Sequence, residues 1–221
     1  MPVRAFVFDA YGTLFDVHAA IARHCAAAGP DADRLSEFWR IKQLEYAWML
    51  SAAGHYVDFW ALTERALDHA FARFPTVDRM LRATLLDAYF QLDAFPDARA
   101  ALGALKSKGV RTAILSNGSP KMLDGAVAAA RIGADLDAVL SVDAIRVYKP
   151  RPEVYALVTD AFAIAPAEVA FVSSNRWDVM GAAAFGFRCI WINRADMPEE
   201  YPEFAPVAVV RDLASLPTLA L

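Results

Sequence analysis

The sequence predicts an α/β protein, a parallel sheet flanked by helices, with a helical subdomain inserted near its N-terminus. Short apolar, β-rich runs recur at 4–8, 111–115, 138–142, 169–172, 188–192 and 207–210, separated by helical stretches, which is the alternation of a parallel sheet covered by its crossovers. About a hundred residues separate the first two runs, far more than one crossover helix needs. Within that interval, residues 15–93 read as amphipathic helices.

The first run, Ala5-Phe6-Val7-Phe8, is apolar at every position, as a strand covered on both faces requires, and it ends in Asp9-Ala10-Tyr11-Gly12-Thr13. The inserted helices are predicted near 17–28, from Ser36 to Ala53, from Phe59 to Phe74 and from Asp78 to Leu92. Because the insertion follows Asp9–Thr13 directly, it should sit above the carboxyl ends of the strands, where open α/β sheets bind ligands, and act as a lid. Beyond it, Pro96-Asp97 opens a helix that Gly109 closes, Ser119-Pro120 opens the next, another follows Lys149-Pro150, and Gly186 closes one running from Trp177 to Phe185. An acidic, proline-bearing loop occupies 196–206. The expected organisation is a Rossmann-like core of residues 1–14 and 94–221 with a helical cap subdomain of 15–93.

Composition narrows the function classes. A 57% hydrophobic, 22% charged chain of 221 residues can bury a substantial core. No apolar stretch reaches the ~18 residues of a membrane span, and Met1-Pro2-Val3-Arg4 leads into a strand instead of a signal-peptide pattern, so a cytoplasmic, untargeted protein is expected. Cys25 and Cys189 lie in unrelated contexts and suggest neither a disulfide nor zinc; both are expected to be reduced packing residues. A net charge of -4, with no basic cluster larger than a pair, argues against nucleic acid or an anionic membrane as partner. An anionic ligand would need local cations.

Four polar clusters share one address, the carboxyl end of a predicted strand or the loop after it: Asp9 to Thr13, Ser116-Asn117-Gly118-Ser119, Lys149-Pro150, and Ser173-Ser174-Asn175 with Asp178. Taken singly, Asp9 could cap a turn, Ser116 end a strand, Lys149 be solvated and Asp178 complement a helix dipole. Together, on one edge of one sheet, they point to a single concave polar site.

These clusters, in this order, resemble the four motifs of the haloacid dehalogenase superfamily: strand-Asp9-x-Tyr11-Gly12-Thr13, Leu115-Ser116-Asn117-Gly118-Ser119, Tyr148-Lys149-Pro150 and Val172-Ser173-Ser174-Asn175-Arg176-Trp177-Asp178. Within it, the L-2-haloacid dehalogenases are the nearest likeness, strengthened by Trp39-Arg40-x-Lys42-Gln43-Leu44-Glu45-Tyr46 in the cap. The likeness spans nearly the whole chain. Phosphatase relatives place an acid at the slot of Tyr11 and a Gly-Asp pair at the slots of Ser173 and Ser174, completing a magnesium site. Both acids are absent, so neither metal nor other cofactor is expected.

The resemblance implies hydrolysis of short (S)-2-haloacids to (R)-2-hydroxyacids and halide. Asp9 attacks C2 with inversion and forms an ester, which water then cleaves. Asp178 is the implied activator of that water, and Lys149 keeps both carboxylates charged. Ser116, with backbone N–H groups of the loops at Asp9-Ala10 and Ser116-Asn117, suits the substrate carboxylate. Thr13 is expected to orient Asp9, Ser173 and Asn175 to hydrogen-bond Lys149 or Asp178 and set their orientation, and Tyr155 to act as an outlying hydrogen-bonding partner. From the sequence alone Arg40 reads as a solvated partner of Glu37; by resemblance it assists the departing halide, with Asn117 as second donor and Phe59 as apolar wall. Leu44, four residues on, shares a helix face with Arg40. Trp177 and Tyr11 complete the wall. Trp39, Trp48, Trp60 and Trp191 are expected in core packing, and His18, His24, His55 and His69 as surface or packing residues of the cap, away from the strand ends. The partners implied are a small 2-haloalkanoic acid, halide and a second copy in a homodimer. The alternatives are a small-molecule phosphatase or phosphonate hydrolase of the same superfamily, and a non-enzymatic binding protein on the same fold.

Overall fold

Asp9 leaves the sheet where the strand order turns back on itself. A computed structural model describes residues 2–220, apart from the side chain of Cys25. Six parallel strands, β1 (Ala5–Phe8), β2 (Arg111–Ser116), β3 (Ala138–Ser141), β4 (Val169–Ser173), β5 (Arg188–Ile192) and β6 (Ala208–Val210), form one sheet in the order β3-β2-β1-β4-β5-β6. Phe8 pairs with Ile114 on one side and Val172 on the other, so Asp9, Ser116 and Ser173 emerge together at one edge. The order reverses between β1 and β4, and a crevice opens at such a switch point, outside the carboxyl ends of the strands. β1 is buried at all four positions and β4 at all five, as the apolar runs require.

Among the described residues, five helices lie in the inserted segment after β1: α1 (Ala19–Ala22), α2 (Cys25–Ala28), α3 (Ala32–Ala52), α4 (Phe59–Arg73) and α5 (Arg82–Phe90). The remaining four, α6 (Ala98–Ser107), α7 (Pro120–Ala130), α8 (Pro152–Phe162) and α9 (Arg176–Phe185), accompany the sheet. α4 starts where Asp58 accepts hydrogen bonds from the N–H groups of Trp60 and Ala61, and α9 ends at Gly186, whose φ of 107° only glycine adopts without strain.

Three predicted helices differ in detail. The one near 17–28 is two single turns, because the chain breaks at Arg23, whose guanidinium reaches across to Gln91 O and the Asp93 carboxylate. α3 begins four residues before Ser36, since a 3-10 turn over Gly29–Asp31 runs straight into it. The predicted 78–92 helix opens with a 3-10 turn, Arg79–Leu81, capped by Asp78.

Cap and sheet share one apolar cluster, running from Val7 and Phe171 through Tyr11 and Phe15 to Phe59, Leu62 and Leu67. Each large side chain buried there contributes roughly 1.5–3 kcal/mol, so packing, more than surface ion pairs, seats the cap. Three contacts fasten it further. Tyr148 donates to Val57 O at 2.5 Å, Tyr56 donates to Asp143, and Trp48 meets Trp177 edge-on with ring centroids 5.2 Å apart. Trp39 and Trp191 are buried as expected, whereas Trp48 and Trp60 are only half-buried, Trp60 lying edge-on to Phe90. Cys189 is a buried free thiol whose pKa burial pushes up; the side chain of Cys25 lies outside the described residues.

Candidate active site

Asp9 lies 5% exposed at the mouth of β1, and each of its oxygens is held differently. Oδ2 accepts from Asn175 Nδ2 at 2.7 Å and Thr13 Oγ1 at 3.1 Å, with Ser173 Oγ at 3.5 Å. Oδ1 accepts from Lys149 Nζ at 3.1 Å. That ammonium, itself fully buried, also donates to Asp178 Oδ2 at 2.7 Å. Asp178 is fully buried, and its second oxygen accepts from Tyr155 Oη at 2.8 Å.

Three charges so enclosed must satisfy one another, because a buried unpaired ion is costly. Burial opposes the Lys149 ammonium, but Asp178 and Asp9 outweigh it and its pKa rises, so the lysine stays charged. Burial pushes the Asp178 carboxyl up to about 6, with Lys149 opposing and Asp9 adding. Burial and the neighbouring Asp178 charge hold the Tyr155 phenol well above its ordinary pKa, so it remains a donor. The triad carries one net negative charge. An anionic ligand therefore needs a further cation, and among the described residues Arg40 is the cation that lines the cavity.

The carboxylates are set by the loops around them. Thr13 Oγ1 accepts the Ser174 N–H at 2.9 Å, tying the loop after β1 to the loop after β4, and Ser174 Oγ donates to Gly12 O at 2.7 Å. Asn117 Oδ1 accepts the Lys149 N–H at 3.0 Å, and Ser116 Oγ accepts the Gly118 N–H at 3.0 Å. Ser173 Oγ accepts the Asn175 N–H at 3.1 Å.

A small, nearly closed cavity opens over Asp9, lined by Asp9, Tyr11, Arg40, Leu44, Phe59, Ser116, Asn117 and Trp177. Arg40 lies 29 residues from the Tyr11 carbonyl it approaches at 3.3 Å, and its other terminal nitrogen donates to Gln43 Oε1 at 2.7 Å. Among the described residues it forms no ion pair with Glu37. Ala10 is the one predicted binding residue whose side chain does not line this cavity; it is fully buried, and its carbonyl accepts the N–H groups of Thr13, Leu14 and Phe15. Every other predicted residue lies in the cavity wall or within the hydrogen-bonded set beneath it, but Asn175 and Ser173 direct their side chains to Asp9 Oδ2 rather than to Lys149 or Asp178, because the loop after β4 folds over the Asp9 carboxylate.

The chain matches the haloacid dehalogenase-like hydrolase family model over residues 3–186. It belongs to that family. Over 222 residues, all of this chain and 97% of the relative, it is 50% identical to (S)-2-haloacid dehalogenase 1 of Pseudomonas sp. strain CBS-3. It is 47% identical to (S)-2-haloacid dehalogenase 4A of Burkholderia cepacia, covering 93% of this chain and 89% of that one. A structure of the L-2-haloacid dehalogenase of Xanthobacter autotrophicus with chloropropionic acid covalently bound superposes with a TM-score of 0.91 at 39% identity, covering 98% of each chain.

Magnesium, the metal of the phosphatase branch of the haloacid dehalogenase-like hydrolases, does not fit here. Only two carboxylates face each other, with an ammonium between them. Ser174, at the slot of the missing acid, directs its hydroxyl to Gly12 O. Among the described residues no group of three or more His, Cys, Asp or Glu could hold a metal ion, nor is any helix long and apolar enough to cross a membrane.

Two features were beyond the reach of the sequence. Gln43, fully buried, joins Arg40 to Thr63 and Tyr89, and of the four only Arg40 was assigned a role; the spacing of three between Arg40 and Gln43 was the available signal. His18 is not remote from the strand ends: with Arg40, Ser174, Asn175 and Arg194 it lines a second cleft of about 280 Å³. The expectation failed because the segment from Asp16 to His18, just ahead of α1, shares a cleft wall with Ser174 and Asn175 after β4, a tertiary relationship without local trace.

Proposed function

We propose that this chain hydrolyses short (S)-2-haloacids to (R)-2-hydroxyacids and halide, through an ester on Asp9. The observation that carries this reading is a small, largely apolar cavity with a buried carboxylate at its floor and a guanidinium in its wall. A cavity this small suits a substrate of only a few heavy atoms, and the named activity of the relatives agrees with it.

Asp9 Oδ1 is the attacking oxygen, since it accepts one hydrogen bond where Oδ2 accepts at least two. It displaces halide from C2 with inversion, and the halide departs toward Arg40 and Asn117. No proton is needed, which accounts for Tyr11 where phosphatases carry an acid. Ser116, with backbone N–H groups at Ala10 and Asn117, holds the substrate carboxylate, while Leu44, Phe59, Tyr11 and Trp177 enclose the alkyl group. In the second half-reaction Asp178 accepts a proton from water as the oxygen adds to Cγ of Asp9. The C2 alkoxide then leaves and takes up that proton, and the carboxylic acid left on Asp9 releases the second water-derived proton to solvent, which restores the carboxylate. Thr13 and Asn175 fix the Asp9 plane, and Ser173 and Tyr155 support Asn175 and Asp178.

A single turnover in ¹⁸O-water tests the ester. Unlabelled hydroxyacid, with label recovered in Asp9, is expected; label in the first product would refute attack by Asp9. Chloride release unaffected by chelator is the companion expectation.

The subdomain boundaries are placed at 14/15 and 93/94. In support, Asp16 N donates to Asp93 O at 2.9 Å and Phe95 N to Leu14 O at 2.8 Å, so both chain crossings lie side by side. Exposed Ile41 and Met49, eight residues apart on α3, support a homodimer formed through the cap, and the cytoplasm suits a cofactor-free enzyme of small acids.

A further inference from the structure

We propose that Gln43 is a positioning residue for halide departure, its amide oriented by Thr63 so that Oε1 holds the Arg40 guanidinium against the cavity. The proposal rests on Arg40 acting on the departing halide.

The orientation follows from counting protons. Thr63 Oγ1 has one, and donates it to Phe59 O at 2.7 Å. Toward Gln43 that hydroxyl can only accept, so the side of the amide facing it at 2.6 Å must be NH₂. The opposite end is then necessarily Oε1, which accepts from Arg40 at 2.7 Å and from Tyr89 Oη at 3.1 Å. All four groups are satisfied in one sense of the chain only. A reversed amide would set NH₂ against a guanidinium and a phenol, three donors together in a buried place. Burial keeps the Tyr89 phenol above its ordinary pKa, so it stays a donor.

The network is rigid. Gln43 and Thr63 are fully buried, Trp39 Nε1 donates to Thr63 O at 2.8 Å, and Tyr89 stacks on Tyr11 with ring planes 9° apart. With one terminal nitrogen on Gln43 and the other near Tyr11 O, the guanidinium has no freedom to follow a departing ion, and its remaining N–H groups are fixed relative to Asp9. Donors fixed in advance stabilise charge developing in the transition state without reorganising. Their effect should therefore be larger for chloride than for bromide, which leaves more readily.

Single-turnover halide release from (S)-2-chloropropionate and (S)-2-bromopropionate is the test. Thr63→Val leaves the amide without its acceptor and should slow chloride release about tenfold and bromide release less than about threefold. Thr63→Ser, which restores the hydroxyl, should return both rates to within about twofold of the parent. In an Arg40→Ala background, Thr63→Val should add nothing. Equal slowing of the two halides, or no slowing while Arg40→Ala remains slow, would overturn the role of Gln43. If Arg40→Ala does not change the bromide-to-chloride ratio, it is the reading of Arg40 that fails. Should Thr63→Val not fold, Tyr89→Phe removes the second donor to Oε1, and a ratio raised by about threefold is expected; an unchanged ratio counts against the proposal.

Discussion

Tyr155 donates to Asp178 Oδ1 at 2.8 Å, leaving Oδ2 to Lys149, so both oxygens of a fully buried carboxylate are spoken for by groups of different charge. Loss of the neutral donor should move the titration of Asp178 without unseating the ammonium. A hydrogen bond to a charged acceptor is worth about 1.5–3 kcal/mol, or one to two pH units. Tyr155→Phe is therefore expected to shift the acid limb of kcat upward by about one unit. A pH-rate profile that stays in place would remove Asp178 from the role of base.

In the parent enzyme that limb should lie near 6, where burial has pushed the Asp178 carboxyl. Ester hydrolysis needs the ionised form, so activity falls as pH drops below it, by about tenfold per unit. Stability moves the other way. Because the folded pKa exceeds the unfolded one, the native state holds a proton that the unfolded chain has already lost between the two values. The contribution of Asp178 is thus fully present below the unfolded pKa and is withdrawn as pH rises through about 6. Halide release and thermal melting from pH 4.5 to 8 would check both signs.

Replacing Lys149 by Met would leave Asp9 and Asp178 facing each other with no cation between them. Breaking a buried pair costs about 3–5 kcal/mol, and a drop in kcat of about two to three orders of magnitude is expected with it. The melting deficit should be smaller at pH 5 than at pH 7, since protonating Asp178 removes the repulsion. A deficit independent of pH would show that the lysine acts through packing alone.

Gly181 permits the approach of Tyr155 to Asp178. A Cβ there would stand 2.5 Å from both Tyr155 Oη and Pro150 Cβ, so Gly181→Ala must displace the phenol or the loop carrying Lys149. Overpacking of this kind costs about 1–3 kcal/mol. The variant should melt lower and reproduce the displaced acid limb of Tyr155→Phe; a normal limb would mean that the loop yielded instead.

The sheet was readable because its strands are buried on both faces, which turns β1 and β4 into uninterrupted apolar runs. Asp9, Lys149 and Asp178 were readable because each falls in a polar cluster at or beyond the carboxyl end of a strand, so one edge of the sheet gathers them. Arg40 was ambiguous: on its own helix Glu37 is a nearer partner than Tyr11, and only the packing of α3 over the sheet decides between them. Thr63 and Tyr89 left no trace at all. Each sits at an ordinary interior position of its helix, and its meaning comes from Gln43 on another. The early start of α3 was hidden for a related reason, since Gly29-Pro30 reads as a break yet continues into the helix.

Trp48 belongs to the cap and Trp177 to α9 beside the sheet, and their ring centroids lie 5.2 Å apart beside the cavity. The molecule thereby carries an optical gauge of its own closure. Any motion that lifts the cap to admit substrate must separate these neighbouring chromophores and hydrate one that lines the reaction chamber. Rapid-mixing fluorescence can thus time the opening and closing of the unlabelled enzyme separately from the breaking of the carbon–halogen bond.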